Sequence, residues 1–297
     1  MINPKSGRRR GEANLDDIGR LFEANGMDVT FSRLTKGSDV EAAAREAVAA
    51  GYDCVVSAGG DGTMSGVASA LKNTGVAMGI LPLGTFNYFA RSLGVPEDLE
   101  GAVANIARGI RRRIAVGTIN DRVFLNNASL GIYPEVLRTR ETTYTRWGRS
   151  RIAAYWSVLL TLLRFPKPLR LKITAGSDAF TVRTPLAFVV SNAFQLEQLG
   201  LEGADCIRNG QMALLLAPDC KRSGLFLRGL ALALGVAQKN RDFRLVCVDP
   251  MEIASTRKRL LIARDGERAG MERPFRFQLH SDALTVIAPA ETASKVR

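Results

Sequence analysis

The sequence predicts an α/β domain at the N-terminus, followed by a mainly β domain that forms a sandwich. Residues 1–116 alternate strand and helix signals, with glycine-rich and polar loops where an apolar run ends and a helix begins. From Asp121 onward the helical periodicity gives way to short β-like runs. With 297 residues, 46% of them hydrophobic, the chain is long enough for two domains and a substantial core.

The first predicted loop stands at the start of the chain, where Asn-Pro-Lys-Ser-Gly at 3–7 leads into arginines and then an amphipathic helix beginning near Leu15. A strand is predicted over 29–34. After it, Ser38-x-x-Glu41 has the spacing of a capping box and predicts the start of an alanine-rich helix that ends at Gly51.

The central loop is Gly-Gly-Asp-Gly-Thr at 59–63, which follows the apolar run 54–58 and precedes a helical segment at 64–72. Glycines let the backbone approach an anion, and the N–H groups at a helix N-terminus point towards it. A third junction, at 82–91, follows the apolar run 78–81. Such junctions gather at one edge of an open parallel sheet, so the three loops are predicted to surround one site. A tight turn without a ligand is the alternative.

Six short runs predict strands after residue 120, at 122–125, 169–173, 186–190, 212–216, 245–248 and 284–287. Two apolar segments interrupt them, at 152–163 and 225–237. The first is bounded by arginines and is too short to span a bilayer, which predicts either a buried or an interfacial helix. We predict domains at 1–116 and 117–297, with the active-site cleft between them.

Basic residues exceed acidic ones, with 41 Lys and Arg against 29 Asp and Glu and a net charge of +12. Such an excess favours an anionic partner, which could be a nucleotide, anionic lipid headgroups or nucleic acid. The sequence contains no recognisable nucleic-acid module, so we expect an anionic membrane surface and a nucleotide, and no nucleic-acid partner. A solvated arginine-rich surface is the alternative.

Four cysteines show no CxxC pair and no clustering with histidine, which argues for a reducing compartment and against a disulfide framework. His280 is the single histidine, so a general base must be a carboxylate. The polar start of the chain predicts no signal peptide. Together these features predict a cytoplasmic protein.

The segments at 3–7, 59–63 and 82–91, in this order, resemble the diacylglycerol kinase catalytic family, which includes bacterial lipid kinases and sphingosine kinases. Ala-Ser-Leu-Gly at 128–131 and Asp-Gly-Glu at 265–267 extend the resemblance to nearly the whole chain. The resemblance implies an open sheet of the NAD kinase type in the N-terminal domain. NAD kinases share the glycine loop but do not normally combine it with the other two segments, so an NAD kinase is the weaker enzyme alternative.

The resemblance implies a lipid kinase that transfers the γ-phosphate of ATP to the hydroxyl of a membrane lipid such as diacylglycerol. Glu267 is implied as the general base, and Asp61 as the group that organises Mg²⁺ directly or through water. A sphingoid base, ceramide and phosphatidylglycerol remain open as acceptors. The implied nucleotide-binding residues are Asn3, Lys5, Ser6, Thr35, Gly59, Gly60, Asp61, Gly62, Thr63, Met64, Ser65 and Thr85.

Three residues depart from the family pattern, because Ala115, Asn209 and Ala213 stand where relatives have carboxylates. This argues against a structural magnesium site and motivates one alternative, a non-catalytic lipid-binding or sensor protein. Only two residues precede Asn3, so either the first strand is short or the true start lies upstream. We expect peripheral attachment to a membrane and leave a homo-oligomer open.

Overall fold

The computed structural model describes residues 15–32, 39–134, 168–219 and 243–290. The chain divides into two compact units, one formed by Met1–Val116 with His280–Arg297 and the other by Gly117–Leu279. The predicted residues Asn3, Lys5, Ser6 and Thr35 lie outside the described residues, as do the apolar segments 152–163 and 225–237.

The first unit has a parallel sheet covered by helices. Strands β1 and β2 pair in parallel, from Cys54 opposite Ala77 to Gly59 opposite Pro82. Every residue of β2 is buried, as expected for a parallel strand with both faces covered. Its elements are α1 (Leu15–Ala24), α2 (Val40–Ala49), β1 (Cys54–Gly59), α3 (Asp61–Leu71), β2 (Ala77–Pro82), α4 (Tyr88–Ser92), α5 (Leu99–Arg108) and the start of β3 (Ile110–Ile119).

Where the structure describes it, the second unit has antiparallel strands and short helices. Its elements after β3 are β4 (Arg122–Phe124), β5 (Asn127–Gly131), β6 (Leu169–Ala175), β7 (Asp178–Thr184), β8 (Leu186–Val190), α6 (Ala193–Gln198), α7 (Ala204–Arg208), β9 (Met212–Leu216), β10 (Arg244–Val248), β11 (Met251–Ser255), β12 (Arg259–Arg264), β13 (Glu267–Glu272) and β14 (Phe275–Ala288). One sheet has the order β10-β9-β8-β5-β12-β13, and β11 lies between β14 and β6 in the other.

A buried cluster joins the two sheets of the second unit. Leu130 and Ile262 come from the six-stranded sheet, and Ile173, Ile253 and Phe277 come from the facing strands. Alternate residues of each strand enter this cluster, which is the arrangement of a β-sandwich. The predicted fold class, an α/β domain followed by a mainly β sandwich, is confirmed.

The last strand, β14, is shared between the two units, whereas the predicted second domain, 117–297, contained all of it. Phe275 and Phe277 in the first half of β14 pair with β11 of the second unit. Thr285 and Val286 in its second half instead pair in parallel with β2, opposite Ala77 and Met78. The end of the chain therefore contributes a strand to the first unit.

Two local predictions in the first unit differ from the structure. Helix α2 is capped by Asp39, whose carboxylate accepts the N–H groups of Glu41 and Ala42 at 3.0 and 3.3 Å. The predicted strand at 29–34 forms no strand over its described part, 29–32. Phe31 there lies beside α1 instead, where its ring would be 3.6 Å from a Cβ placed on Gly19.

The prediction of a chain without disulfides is wrong. Cys206 of α7 and Cys247 of β10 form a disulfide, with their Cα atoms 5.4 Å apart. The two cysteines are separated by 41 residues, so the spacing rules that find CxxC pairs could not reveal them. The bond ties a helix on the outer face of the six-stranded sheet to a strand of that sheet.

Within the described ranges no helix combines the length and the apolar character that crossing a membrane requires.

Candidate active site

The β1–α3 junction of the first unit is a tight glycine turn. Gly60 has an extended backbone and occupies the N-cap position of α3, and no side chain caps this helix. A Cβ on Gly59 would lie 2.6 Å from the Thr63 hydroxyl oxygen, so a larger residue would push the first turn of α3 away. A glycine strand end followed by a helix start without a side-chain cap is a geometry that binds anions.

The β2–α4 junction contacts this turn directly. A Cβ on Gly84 would lie 2.5 Å from the Gly60 Cα atom, so the two backbones touch. Asn87 fixes the second loop, because its Nδ2 donates to the carbonyls of Pro82 and Gly84 at 3.0 Å each. Asn87 itself has φ 49°, a left-handed conformation that asparagine tolerates. The structure thus brings the second and third predicted loops together.

Asp61 joins the two loops through its carboxylate. It accepts the N–H of Phe89 at 3.1 Å and that of Tyr88 at 3.4 Å, both in the first turn of α4. Burial, and next the Asp61 carboxylate, raise the pKa of the Tyr88 phenol above its usual value. Asp61 is therefore a partly buried carboxylate at a helix start, beside the glycine turn.

The ligands available around Asp61 fit a metal ion only if other groups supply most of its coordination. Among the residues that the structure describes, no group of three or more His, Cys, Asp or Glu side chains converges to hold an ion. Mg²⁺ in kinases is commonly bound by one or two carboxylates together with substrate phosphates. A single carboxylate fits an ion that is held mainly by the nucleotide.

The other predicted nucleotide-binding residues of the first unit differ in exposure. Thr63 and Ser65 are 5% and 3% exposed, and Met64 is completely buried. The Met64 N–H donates to the Gly60 carbonyl at 3.0 Å as an ordinary helix bond. Among the predicted nucleotide-binding residues that the structure describes, only Thr85 presents an exposed side chain. Any contact from residues 63–65 to a nucleotide must therefore come from the first-turn backbone or require a local shift.

In the second unit, Asp265 and Gly266 form a two-residue hairpin turn between β12 and β13. Both have positive φ, 44° and 85°, and Arg264 pairs with Glu267 across the turn. The Asp-Gly-Glu segment at 265–267 thus forms an ordinary hairpin turn, whose second strand is β13. Glu267, the predicted base, is the exposed first residue of β13.

The neighbour of Glu267 has a role that the sequence did not reveal. Asp265 is only 7% exposed, and its carboxylate accepts three consecutive backbone N–H groups, from Leu125, Asn126 and Asn127, at 2.7, 2.8 and 3.0 Å. The Asp-Gly pair was a visible signal, because it is one of the sequences that two-residue hairpin turns strongly prefer. Its partners are 138 to 140 residues away in the sequence, so they were not visible.

A buried cluster of amide side chains lies next to this turn and was also missed. Asn192 donates to the Asn126 amide oxygen at 2.7 Å, and Asn127 donates to the Gln195 amide oxygen at 2.9 Å. All four side chains are less than 10% exposed. Such pairs hold the β4–β5 connection against the start of α6.

Two of the departures from the family pattern, Asn209 and Ala213, lie in the second unit, where neither supplies a carboxylate. Asn209 ends α7 as its C-cap, and Ala213 is fully buried beneath that helix. A Cβ on Gly203 would lie 2.9 Å from the Ala213 Cβ, so this position is closely packed. The residues present here do not fit a structural magnesium site.

Comparison with known proteins connects these features to one family. Residues 1–119 match the model of the diacylglycerol kinase catalytic domain. A diacylglycerol kinase of Bacillus subtilis (strain 168) is 27% identical over 307 residues, covering 100% of this chain and 97% of that protein. A diacylglycerol kinase of Staphylococcus aureus (strain MRSA252) is 32% identical over 138 residues, which cover 46% of this chain and 44% of that protein.

Solved structures agree at the level of the fold. The crystal structure of a diacylglycerol kinase from Bacillus anthracis strain Sterne superposes with a TM-score of 0.70, covering 97% of this chain and 96% of that chain at 21% identity. The resemblance predicted from the motifs is thus confirmed, and the comparisons support a lipid kinase. This chain carries a match to the diacylglycerol kinase catalytic domain at residues 1–119.

Proposed function

We propose that this protein is an ATP-dependent lipid kinase, which transfers the γ-phosphate of ATP to the hydroxyl of a membrane lipid such as diacylglycerol. The observation that carries this proposal is the contact between the two glycine loops, closed by the Asp61 carboxylate, within the segment that matches the catalytic-domain model. The family resemblance at the N-terminus also supports a nucleotide-binding role for Asn3, Lys5, Ser6 and Thr35.

The first unit would hold the donor nucleotide. The backbone of Gly59, Gly60 and the first turn of α3 would face the phosphates, with the exposed Thr85 side chain beside them. Asp61 would orient Mg²⁺ while keeping its bonds to the first turn of α4. When bound, Mg²⁺ would neutralise the negative charge of the phosphates.

The second unit would supply the base. Phosphoryl transfer demands little covalent chemistry from a protein, because the acceptor oxygen forms a bond to the γ-phosphorus as the bond to ADP breaks. The exposed Glu267 carboxylate would accept the proton that leaves the lipid hydroxyl.

We further propose peripheral attachment to a membrane, on its cytoplasmic side, although the Cys206–Cys247 disulfide removes the argument for a reducing compartment. The acceptor is a lipid, and the net charge of +12 favours an anionic membrane surface. A lipid-binding sensor without catalysis is the second candidate, motivated by Ala115 and by the buried Ala213, which replace carboxylates of the family pattern.

The test is transfer of labelled γ-phosphate from ATP to diacylglycerol, ceramide, a sphingoid base and phosphatidylglycerol in mixed micelles. A lipid kinase labels at least one acceptor, and labelling stops when Mg²⁺ is chelated or Asp61 is replaced by alanine. If the protein binds lipid but consumes no ATP with any of these acceptors, the kinase proposal is rejected in favour of the sensor.

A further inference from the structure

The turn beside Glu267 is held by one carboxylate in a pocket of backbone donors. Asp265 Oδ2 accepts the Leu125 N–H at 2.7 Å, while Oδ1 accepts those of Asn126 and Asn127 at 2.8 and 3.0 Å. The Asp265 N–H returns a bond to the Asn127 carbonyl at 3.0 Å. Four hydrogen bonds therefore join this one residue to the β4–β5 connection.

The contact requires a charged carboxylate. Both oxygens are used, and three donors converge on a side chain that is 7% exposed. Hydrogen bonds from N–H groups to an ionised acceptor are stronger than those between neutral groups. An asparagine at this position would keep the size of the side chain, but its NH₂ group would face a backbone donor and could accept nothing.

The geometry of the turn fixes the backbone position of Glu267 through this contact. Asp265 and Gly266 make up the whole turn, so Glu267 begins β13 two residues after the held side chain. On the other side of the turn, the Arg264 guanidinium donates to the Val123 carbonyl at 2.8 Å. The backbone at Glu267 is thus fixed relative to residues 123–127, while its own side chain is exposed.

We propose that Asp265 is a positioning residue for Glu267. The inference rests on the proposed function, in which Glu267 accepts the proton of the lipid hydroxyl. Asp265 holds the hairpin so that the Glu267 carboxylate meets the acceptor, and takes no proton itself. Because the role concerns the transfer step, loss of the Asp265 carboxylate should lower kcat and leave the KM for ATP unchanged.

The experiment compares the lipid kinase activity of Asp265→Asn with that of Asp121→Asn. Asp121 also lies in a two-residue turn with positive φ, 65°, between β3 and β4, but it is exposed. We expect Asp265→Asn to lower kcat about 100-fold, the scale of a catalytic group displaced by about 1 Å. Asp121→Asn should keep the kcat of the wild type.

A double-mutant cycle separates positioning from a general loss of structure. If Asp265 acts through Glu267, Asp265→Asn has little further effect on kcat in a Glu267→Gln background. If it only stabilises the fold, the two losses multiply. Should Asp265→Asn fail to fold by circular dichroism, Asp265→Gly takes its place, because glycine adopts the turn conformation without strain.

The outcomes distinguish a failure of the proposed function from a failure of the positioning role of Asp265. A wild-type protein that labels no lipid, or a fully active Glu267→Gln, overturns the proposed function and this inference with it. A wild-type enzyme that needs Glu267 but tolerates Asp265→Asn with unchanged kcat overturns the positioning role alone.

Discussion

Asp61 combines a structural contact with a proposed chemical role, and the two can be separated. Its carboxylate caps α4 from another segment of the chain, 27 and 28 residues before the two donors. Asp98 makes a comparable contact in the same unit, accepting the Gly101 N–H at 2.7 Å as the N-cap of α5. The second aspartate is exposed and lies in none of the predicted motifs.

Replacing either aspartate by alanine removes a helix cap and should lower the free energy of unfolding by about 1 kcal/mol. We expect only Asp61→Ala to reduce phosphoryl transfer, by about 100-fold or more, because it also removes the carboxylate that orients Mg²⁺. Denaturant unfolding and kinase assays on both variants check this. An active Asp61→Ala variant would remove Asp61 from the mechanism.

Cys54, which is not part of the disulfide, should react slowly with alkylating agents. Burial raises the pKa of its thiol to about 11, whereas an ordinary cysteine has a pKa of about 8.5. At pH 8 the thiolate fraction is then on the order of a thousandth. We expect iodoacetamide to label the native protein at Cys54 at least about 100-fold more slowly than the urea-unfolded chain. Equal rates, measured by mass spectrometry, would contradict this.

The same shift makes stability depend on pH. Because the folded-state pKa of Cys54 is raised, its contribution to stability is complete below about pH 8.5 and is lost as the pH rises towards about 11.

At the scale of elements, the meeting of two glycine loops depends on the absence of side chains. Gly84 is the critical position, since a Cβ there would lie 2.5 Å from both the Gly60 Cα and the Asn87 amide oxygen. Gly75 offers a contrast in the same unit, because it has φ 80° but no atom within 4 Å of its Cβ position.

Gly84→Ala should therefore separate the two loops and raise the Kd for ATP at least about tenfold. Gly75→Ala should cost about 1 kcal/mol through its unfavourable backbone conformation and leave ATP binding unchanged. Calorimetric titration of ATP into both variants measures the difference. Equal Kd values would show that contact between the loops does not shape the nucleotide site.

Strand prediction succeeded where the sequence has a compact apolar run. Strands β8 and β9 match the runs predicted at 186–190 and 212–216, because each is a compact block of apolar residues. Strands β7 and β13 were not among the predicted runs, since most of their positions are exposed or half-buried and lack an apolar signature. The cap at Asp39 was missed in favour of Ser38 because a capping-box spacing applies to several neighbouring polar residues.

At the scale of the whole molecule, the order of motifs predicted the family and the fold class, whereas contacts between distant segments were not predictable. The second half of β14 pairs with β2 across about two hundred residues of sequence, and nothing local in its residues indicates this partner. The Asp265 contact and the disulfide belong to the same class of long-range feature.

The disulfide between Cys206 and Cys247 should stabilise the second unit. A loop that separates the two cysteines by 41 residues corresponds to about 4 kcal/mol in the chain-entropy model. We expect a reducing agent to lower the Tm of the wild type by several degrees and to have no effect on the Tm of a Cys206→Ala, Cys247→Ala variant. Cys54→Ser is the matched control, and it should retain the wild-type response. An unchanged Tm of the wild type on reduction would contradict a stabilising disulfide.

The measurement that tests the central claim most directly is the kcat of Glu267→Gln for lipid phosphorylation, compared with that of Glu272→Gln. Both glutamates are exposed and stand at opposite ends of β13, so the two changes remove the same charge from the same strand. A lipid kinase with Glu267 as its base predicts a loss of about 100-fold or more for Glu267→Gln alone, with ATP binding unchanged. Wild-type kcat in Glu267→Gln, or equal losses in both variants, would contradict it.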